Sequence, residues 1–295
     1  MISNAPAAQP AAQPAAPPLS PQEYDTLRGF IEAESGIALG EDKQYLLESR
    51  LKGLLPQFSC RSYRDLFTMA KANGHPLIRQ KIIDAITTNE TLWFRDKGPF
   101  VVLEEVFLPR AVERLRRGAP RVRIWSAACS TGQETYSIAM AIHNFLNRLR
   151  DPQIQPGHFE IVATDISAEA LSVAQLGAYD RFSIERGLEA VQREAYFKQN
   201  QSFWIIDPAL KRIVQFRRFN LLESLSPLGA FDCVFLRNVA IYFSLQTKVD
   251  LIRRIRAGMT ASGVFFLGST ESLSFLQHDF LVREHGKHVY YEVPG

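Results

Sequence analysis

Small residues dominate one turn of the sequence, SAACSTGQE at residues 126–134, which directly follows a short apolar run typical of a β-strand. Ala127, Ala128 and Ser130 allow a ligand to approach the backbone closely. The turn lacks the G-x-G-x-x-G pattern of dinucleotide sites and the lysine of a phosphate-binding P-loop. The residues therefore predict a nucleoside-like ligand that need not carry phosphate.

An acid, Asp165, ends the next predicted strand, FEIVAT at residues 159–164. Ligands of open α/β sheets bind at the carboxyl ends of the strands, where an acid commonly accepts hydrogen bonds from ribose hydroxyls. Asp165 has a structural alternative as the N-cap of a helix beginning at Ala168, although Ser167 could fill that position. Strand, turn, helix and acid together fit S-adenosylmethionine, because its ribose needs an acid and its sulfur is cationic.

The elements that must position these residues alternate between strands and helices after about residue 120. Strands are predicted at residues 121–126, 159–164, 231–236, 263–268 and 288–293, with helices between several of them. This alternation predicts βαβ units and a mostly parallel sheet. Residues 20–88 instead show apolar residues at helical spacing, which predicts a small helical domain. Residues 1–19 are mainly Ala, Pro and Gln without charge, which predicts a disordered tail.

The composition excludes several classes of protein. The 295 residues contain 34 Lys+Arg and 31 Asp+Glu, and this near balance argues against nucleic-acid binding. Cys60, Cys129 and Cys233 lie too far apart for a disulfide scaffold or a metal site, which fits a reducing cytoplasm. No apolar run approaches the roughly 18 residues of a membrane helix. No Lys or Arg precedes an apolar stretch near the N-terminus, so a secretory signal is not expected. The protein is therefore expected to be cytoplasmic and not inserted in a membrane.

Five motifs together resemble the signature of chemotaxis receptor methyltransferases of the CheR type. They are ITTNETLWFR (86–95), IWSAACSTGQETYS (124–137), ATDI (163–166), FNLL (219–222) and FDCVFLRNVAIYF (231–243), in the family's order. The resemblance implies an α/β fold, the class I S-adenosylmethionine-dependent methyltransferase fold with a Rossmann-like mixed seven-stranded sheet, at residues 89–295. It also implies an N-terminal helical domain at residues 20–88 and a small inserted antiparallel β-subdomain at about residues 195–218.

The resemblance further implies an activity and a partner. The family transfers a methyl group from S-adenosylmethionine to glutamate side chains on the cytoplasmic helices of methyl-accepting chemoreceptors, giving methyl esters and S-adenosylhomocysteine. A monomer is expected. Members that need a receptor C-terminal pentapeptide carry a glycine-containing insertion in the β-subdomain, whereas residues 196–216 contain no glycine. Independence from that pentapeptide is therefore expected.

The resemblance carries over functional positions residue by residue. Arg95 and Tyr242 match catalytic positions at the methyl-transfer centre. The matches to cofactor-binding positions are Asn89, Thr91, Arg95, Glu134, Asp165, Asn220, Leu221, Arg237 and Asn238. No metal is implied.

Several of these residues have simpler alternatives. Arg95 could pair with Asp96 or Glu90 on the surface. Asn89 could be an ordinary helix cap, and Tyr242 could serve packing alone. Two other functions also remain open: a methyltransferase of the same fold with another substrate, such as a small molecule or RNA, and a non-catalytic adaptor that binds S-adenosylmethionine.

Overall fold

The computed structural model describes residues 17–72, 75–274 and 276–295. Its α-helices are α1 (Pro21–Ser35), α2 (Gln44–Leu51), α3 (Leu54–Gln57), α4 (Tyr63–Lys71), α5 (Pro76–Ile86), α6 (Gly98–Val102), α7 (Leu108–Arg116), α8 (Gln133–Leu149), α9 (Ala168–Leu176), α10 (Arg181–Glu185), α11 (Ala190–Tyr196), α12 (Pro208–Lys211) and α13 (Leu245–Ala257). Its strands are β1 (Val122–Ala127), β2 (Phe159–Asp165), β3 (Ala178–Tyr179), β4 (Phe197–Asn200), β5 (Phe203–Ile206), β6 (Val214–Arg218), β7 (Phe231–Leu236), β8 (Met259–Leu267), β9 (Leu281–His285) and β10 (His288–Glu292). A π-helical turn (Leu103–Phe107) joins α6 to α7. Within these ranges no helix is long and apolar enough to cross a lipid bilayer.

Seven strands form one mixed sheet in the order β6-β2-β1-β7-β8-β10-β9. The pairs from β6 through β8 are parallel, and β10 is antiparallel to both of its neighbours. The central strands are buried on both faces because helices cover them, so they read as continuous apolar runs. The expected fold class is confirmed.

The inserted β-subdomain is a separate antiparallel sheet in the order β3-β5-β4. Its strands lie between residues 178 and 206, so it begins earlier in the chain than the expected range of about 195–218. The expected range was also wrong at its end, because β6 pairs in parallel with β2 and belongs to the main sheet. Residues 214–218 alternate between half-buried and exposed along much of β6. An edge strand of either sheet would give this pattern, so the sequence does not indicate to which sheet β6 belongs.

The helical domain begins at a capping box. Ser20 accepts a hydrogen bond from the Glu23 N–H at 3.3 Å, and the Glu23 carboxylate accepts one from the Ser20 N–H at 3.1 Å. Leu19 is buried in the core of this domain, so the expected tail at residues 1–19 extends too far. The Ala-, Pro- and Gln-rich composition of the preceding residues gave no indication that Leu19, next to the cap residue Ser20, packs in the core. Residues 1–16 of the expected tail lie outside the described residues.

The helical domain contacts the segment that follows β7 of the main sheet. Ile37 forms an antiparallel bridge with Phe243, and the Ala38 N–H donates to the carbonyl oxygen of Tyr242 at 2.8 Å. The residues that follow α1 therefore lie beside the carboxyl ends of the parallel strands. A wall of the cleft at those strand ends comes from the helical domain.

Candidate functional site

A single cleft contains every site residue that the sequence predicts. Its empty volume, including the part open to solvent, is about 900 Å³. The predicted residues that line it are Asn89, Thr91, Arg95, Glu134, Asp165, Asn220, Leu221, Arg237, Asn238 and Tyr242. They converge because the carboxyl ends of β1, β2 and β7 meet at one edge of the parallel part of the sheet.

The turn after β1 forms the floor of the cleft in an unusual backbone conformation. Ala128 and Ser130 have φ values of 57° and 51°, and Gly132 has 93°. A side chain on Gly132 would lie 2.9 Å from the Cβ of Ala174, so glycine is required there for packing as well as for conformation. The Cys129 N–H donates to the Thr164 carbonyl at 2.9 Å and fixes the turn against β2.

Asp165 joins this turn to the end of β2. Its Oδ2 accepts the Ser130 N–H and its Oδ1 accepts the Ser167 N–H, both at 2.8 Å. Burial is the main influence on its carboxyl group and raises its pKa, although the backbone donors oppose the shift. Ser167 caps α9 by accepting the Ala170 N–H, so Asp165 is not the helix cap. Asp165 faces the cleft and retains acceptor capacity on both oxygens.

Arg237 is the centre of a buried ion-pair network. Its side chain is 1% exposed, with Nη1 at 2.9 Å from Glu134 Oε2 and Nη2 at 2.7 Å from Asp96 Oδ2. Nη2 also donates to the carbonyl oxygen of Arg95 at 2.7 Å, and the Ser126 hydroxyl donates to Glu134 Oε1 at 2.8 Å. The network holds Glu134 in the cleft wall and ties the Arg95 loop to the end of β7. The Arg237 guanidinium is therefore paired with two carboxylates, those of Asp96 and Glu134.

Arg95 lies in a tightly folded loop at the cleft. Phe94, Asp96 and Lys97 around it have φ values of 46°, 65° and 49°, which are costly for residues with side chains. The Arg95 guanidinium makes one long hydrogen bond, 3.4 Å from Nη1 to the carbonyl oxygen of Glu90. No carboxylate pairs with it within the described ranges. The surface-pair alternative is wrong, because Asp96 pairs with Arg237 and the Glu90 carboxylate pairs with Arg186 at 2.7 Å.

The segment before this loop is fixed at several points. The Asn89 carbonyl accepts the Ser130 hydroxyl at 2.9 Å, which joins the segment to the turn after β1. Asn89 is not a helix cap, because the next helix begins only at Gly98. Trp93 is buried, and its Nε1–H donates to the Ser183 carbonyl at 2.9 Å. Thr91 lies between these anchors at the cleft surface.

Asn220 and Leu221 form the wall shared with the helical domain. The Asn220 Nδ2–H donates to the Glu34 carbonyl at 2.7 Å, and its Oδ1 accepts the Leu222 N–H at 3.0 Å. One amide hydrogen of Asn220 and the buried side chain of Leu221 remain for a ligand. Asn220 therefore both lines the cleft and holds the two domains together.

Asn238 and Tyr242 follow β7 on the opposite wall. Asn238 has a φ of 58°, and its N–H donates to Glu271 Oε2 at 2.6 Å. Phe243 is buried and Tyr242 is half-buried; both line the cleft, and Tyr242 also packs against the adjacent hydrophobic core. Among the described residues no hydrogen bond involves the Tyr242 hydroxyl.

Sequence reasoning missed Glu271, which organises this wall. Its carboxylate accepts the N–H groups of Asn238, Ile241 and Gly268 at 2.6, 3.2 and 2.9 Å. These bonds set the loop that carries Tyr242. The available signal was its position three residues after the predicted strand 263–268, since polar residues at strand ends gather at this edge of the sheet.

The cleft fits S-adenosylmethionine by the chemistry of its walls. Two carboxylates, Asp165 and Glu134, supply negative charge for a cationic sulfonium and acceptors for hydroxyl or amino groups. Phe219 and Leu221 supply apolar surface for a base. This sheet order, with a small-residue turn and an acid at neighbouring strand ends, defines a class I S-adenosylmethionine-dependent methyltransferase.

Comparison with known proteins identifies the family within that class. The CheR methyltransferase SAM-binding domain matches residues 89–289, and the CheR methyltransferase all-alpha domain matches residues 22–87. The chain belongs to the CheR methyltransferase family.

Individual relatives cover nearly the whole chain. It is 44% identical over 255 residues to chemotaxis protein methyltransferase Cher2 of Pseudomonas putida, covering 86% of this chain and 91% of that protein. It is 43% identical to chemotaxis protein methyltransferase 1 of Pseudomonas aeruginosa, with the same coverage. It is 41% identical to chemotaxis protein methyltransferase 1 of Vibrio cholerae, covering 88% and 92%.

Proposed function

We propose that this methyltransferase esterifies glutamate side chains on the cytoplasmic helices of chemoreceptors. The names of its relatives support a chemotaxis substrate. The observation that carries the choice of a carboxylate is the Arg95 guanidinium, which faces the cleft without a carboxylate partner among the described residues. A guanidinium suits a carboxylate because it can bind both oxygens in one plane.

S-adenosylmethionine supplies the electrophilic methyl group. A glutamate carboxylate has an ordinary pKa of about 4.3 and is ionised at neutral pH, so the protein needs no general base. Its task is to align the carboxylate and to exclude water. In this proposal Arg95 orients one carboxylate oxygen and leaves the other free to attack, and the Tyr242 hydroxyl helps to position it.

The cofactor roles form part of the same proposal. Asp165 accepts hydrogen bonds from the ribose hydroxyls, and Glu134 binds the amino-acid end. Asn220 and Leu221 contact the adenine side. The remaining predicted contacts, from Asn89, Thr91, Arg95, Arg237 and Asn238, lie along the same walls, and Arg237 acts by holding Glu134 in place.

A methyl-transfer assay with radiolabelled S-adenosylmethionine and a chemoreceptor cytoplasmic fragment tests the proposal. Base-labile label on the fragment, lost when its methylatable glutamates are replaced by alanine, is the expected result. Label on RNA or a small molecule instead would favour the second methyltransferase reading. Tight cofactor binding without any transfer would favour the adaptor reading.

The finer statements about partners belong to this proposal as well. We infer that the enzyme acts in the cytoplasm as a monomer and does not depend on a receptor C-terminal pentapeptide. The two residues between β4 and β5, Gln201 and Ser202, leave a short hairpin without glycine. Calorimetry with the pentapeptide is expected to show no micromolar binding, and light scattering is expected to give a mass near 33.4 kDa.

A further inference from the structure

Two acidic residues, Glu90 and Asp96, lie in the same segment as Arg95, and each is paired with another arginine. Asp96 pairs with the buried Arg237, as described above. Glu90 pairs with Arg186, with Arg186 Nη2 at 2.7 Å from Glu90 Oε1. Arg186 follows α10 in the chain insertion that carries the β-subdomain. The geometry points to Arg186 as a positioning residue that keeps the Glu90 carboxylate away from Arg95, an inference that rests on the proposed function.

Glu90 is within reach of Arg95. The Arg95 Nη1 already lies 3.4 Å from the main-chain carbonyl of Glu90, so the guanidinium and this residue are neighbours. The Glu90 side chain is 65% exposed and is free to rotate if its partner is removed. A carboxylate that rotated onto Arg95 would occupy the planar donor groups that the substrate carboxylate needs.

The backbone around Arg186 fixes it beside this loop. The Trp93 N–H donates to the Arg186 carbonyl at 3.1 Å, and the Trp93 ring donates to the Ser183 carbonyl. Gly187, with a φ of 96°, leaves room for the Trp93 carbonyl, which a Cβ would strike. The inserted segment therefore holds the loop with its main chain and holds Glu90 with the Arg186 side chain.

The ion pair itself contributes little to folding, because both side chains are partly exposed. Its removal should therefore change substrate binding rather than stability. The substrate would have to displace Glu90 from Arg95. Because an exposed ion pair is weak, this competition should raise KM by about two- to fivefold. The value of kcat at saturating fragment should not change.

The test is methyl transfer to a chemoreceptor cytoplasmic fragment by the full chain, with S-adenosylmethionine saturating. Arg186→Met keeps an unbranched apolar side chain and removes the guanidinium, which pairs with Glu90 and lies 5.1 Å from the centroid of the Phe182 ring. It should raise KM for the fragment, and the effect should shrink as salt is added. Arg181→Met is the matched control, since it removes an exposed ion pair with Glu185 in the same segment, and it should leave KM unchanged.

Rescue separates competition from loss of structure. Arg186→Met combined with Glu90→Gln should return KM to the wild-type value, because the competing charge is gone. A double variant as impaired as Arg186→Met, or an Arg186→Met variant with wild-type KM, would overturn the inference. Arg95→Ala in the same assay keeps the two claims apart: if it has wild-type KM and kcat, the proposed function of Arg95 fails first.

Discussion

At the scale of single residues, the side chains that line the cleft differ in whether they already have polar partners in the protein. Glu134 and Arg237 are paired with each other, and both oxygens of Asp165 accept backbone donors. Arg95 and the Tyr242 hydroxyl are the groups whose contacts leave them open to a substrate. The residues that hold the site are therefore different from the two that we propose act on the substrate.

Asp165 should give cofactor binding a measurable pH dependence. Its pKa in the folded protein is raised by burial, so it takes up a proton on acidification at a higher pH than a free aspartate at about 3.9. Because the folded pKa exceeds the unfolded one, ionisation of Asp165 lowers the stability of the ligand-free protein as pH rises, whereas the ionised form favours ribose binding. Calorimetry should show that the affinity for S-adenosylmethionine falls on acidification, and that the fall begins at a higher pH than titration of an ordinary aspartate would give.

Asp165→Ala should weaken S-adenosylmethionine binding about tenfold or more, since hydrogen bonds to a charged group contribute about 1.5–3 kcal/mol. It should also lower the melting temperature, because the N–H groups of Ser130 and Ser167 lose their acceptors. The pH dependence should disappear in this variant. If Asp165→Ala binds S-adenosylmethionine with the wild-type affinity at every pH, the ribose assignment is refuted.

Arg237 is expected to be among the most sensitive positions in the cleft. Arg237→Met leaves the Glu134 and Asp96 carboxylates without their partner, and breaking a buried ion pair costs about 3–5 kcal/mol. Urea unfolding measures the loss. Arg253→Ala is the control, since its pair with Asp250 is exposed and should contribute at most about 1 kcal/mol. Equal losses for the two variants would mean that the network does not hold the site.

At the scale of elements, loops with left-handed residues position the site on a rigid sheet. Such residues occur in the turn after β1, in the Arg95 loop and at Asn238 after β7. Each is held by main-chain or carboxylate acceptors from another element, as Glu271 does for Asn238. Strained backbone of this kind persists only where surrounding contacts determine it.

A pair of glycines tests how closely the inserted segment must approach the Arg95 loop. Gly187 and Gly118 have nearly the same φ, 96° and 93°, but a Cβ on Gly118 would meet nothing within 4 Å. Gly118→Ala should lose about 1–2 kcal/mol from left-handed strain alone. Gly187→Ala should lose more, since its Cβ would strike the Trp93 carbonyl, and should also reduce methyl transfer. Equal unfolding free energies for the two variants would contradict this packing argument.

At the scale of the whole molecule, the cleft belongs to both domains. Ile37 bridges Phe243, and Asn220 donates to the Glu34 carbonyl, so the helical domain completes the cofactor wall. Opening the contact between the domains would open the cleft. Cofactor binding and domain contact are therefore expected to stabilise each other.

Scanning calorimetry tests this coupling. The protein should unfold in one transition, and S-adenosylmethionine at about 100 times its Kd should add about 2.7 kcal/mol to the whole of it. Asn220→Ala should reduce both the stability and the cofactor affinity. Two separate transitions, of which the ligand moves only one, would show that the domains are independent.

The sequence predicted the parallel strands β1, β2, β7 and β8 and the polar residues at their ends, because buried strands give long apolar runs and because strand ends meet at one edge of a sheet. It did not predict α6, α7 or the edge strand β9. The residues of β9 are mostly exposed, whereas α7 does place buried apolar residues at helical spacing and could have been predicted. It also missed the Glu90–Arg186 pair and the role of Glu271, since these depend on contacts between distant parts of the chain. Local pattern indicates where a polar residue lies, but not which partner it meets.

The central claim is that Arg95 orients the substrate carboxylate. It is tested most directly by methyl transfer to a chemoreceptor cytoplasmic fragment at saturating S-adenosylmethionine. Arg95→Ala should lose about a hundredfold or more in kcat/KM, since each 1.36 kcal/mol of barrier is about tenfold in rate. Arg95→Lys should recover only part of the activity, because a point charge cannot replace the planar guanidinium. Near-wild-type turnover by Arg95→Ala would contradict the claim.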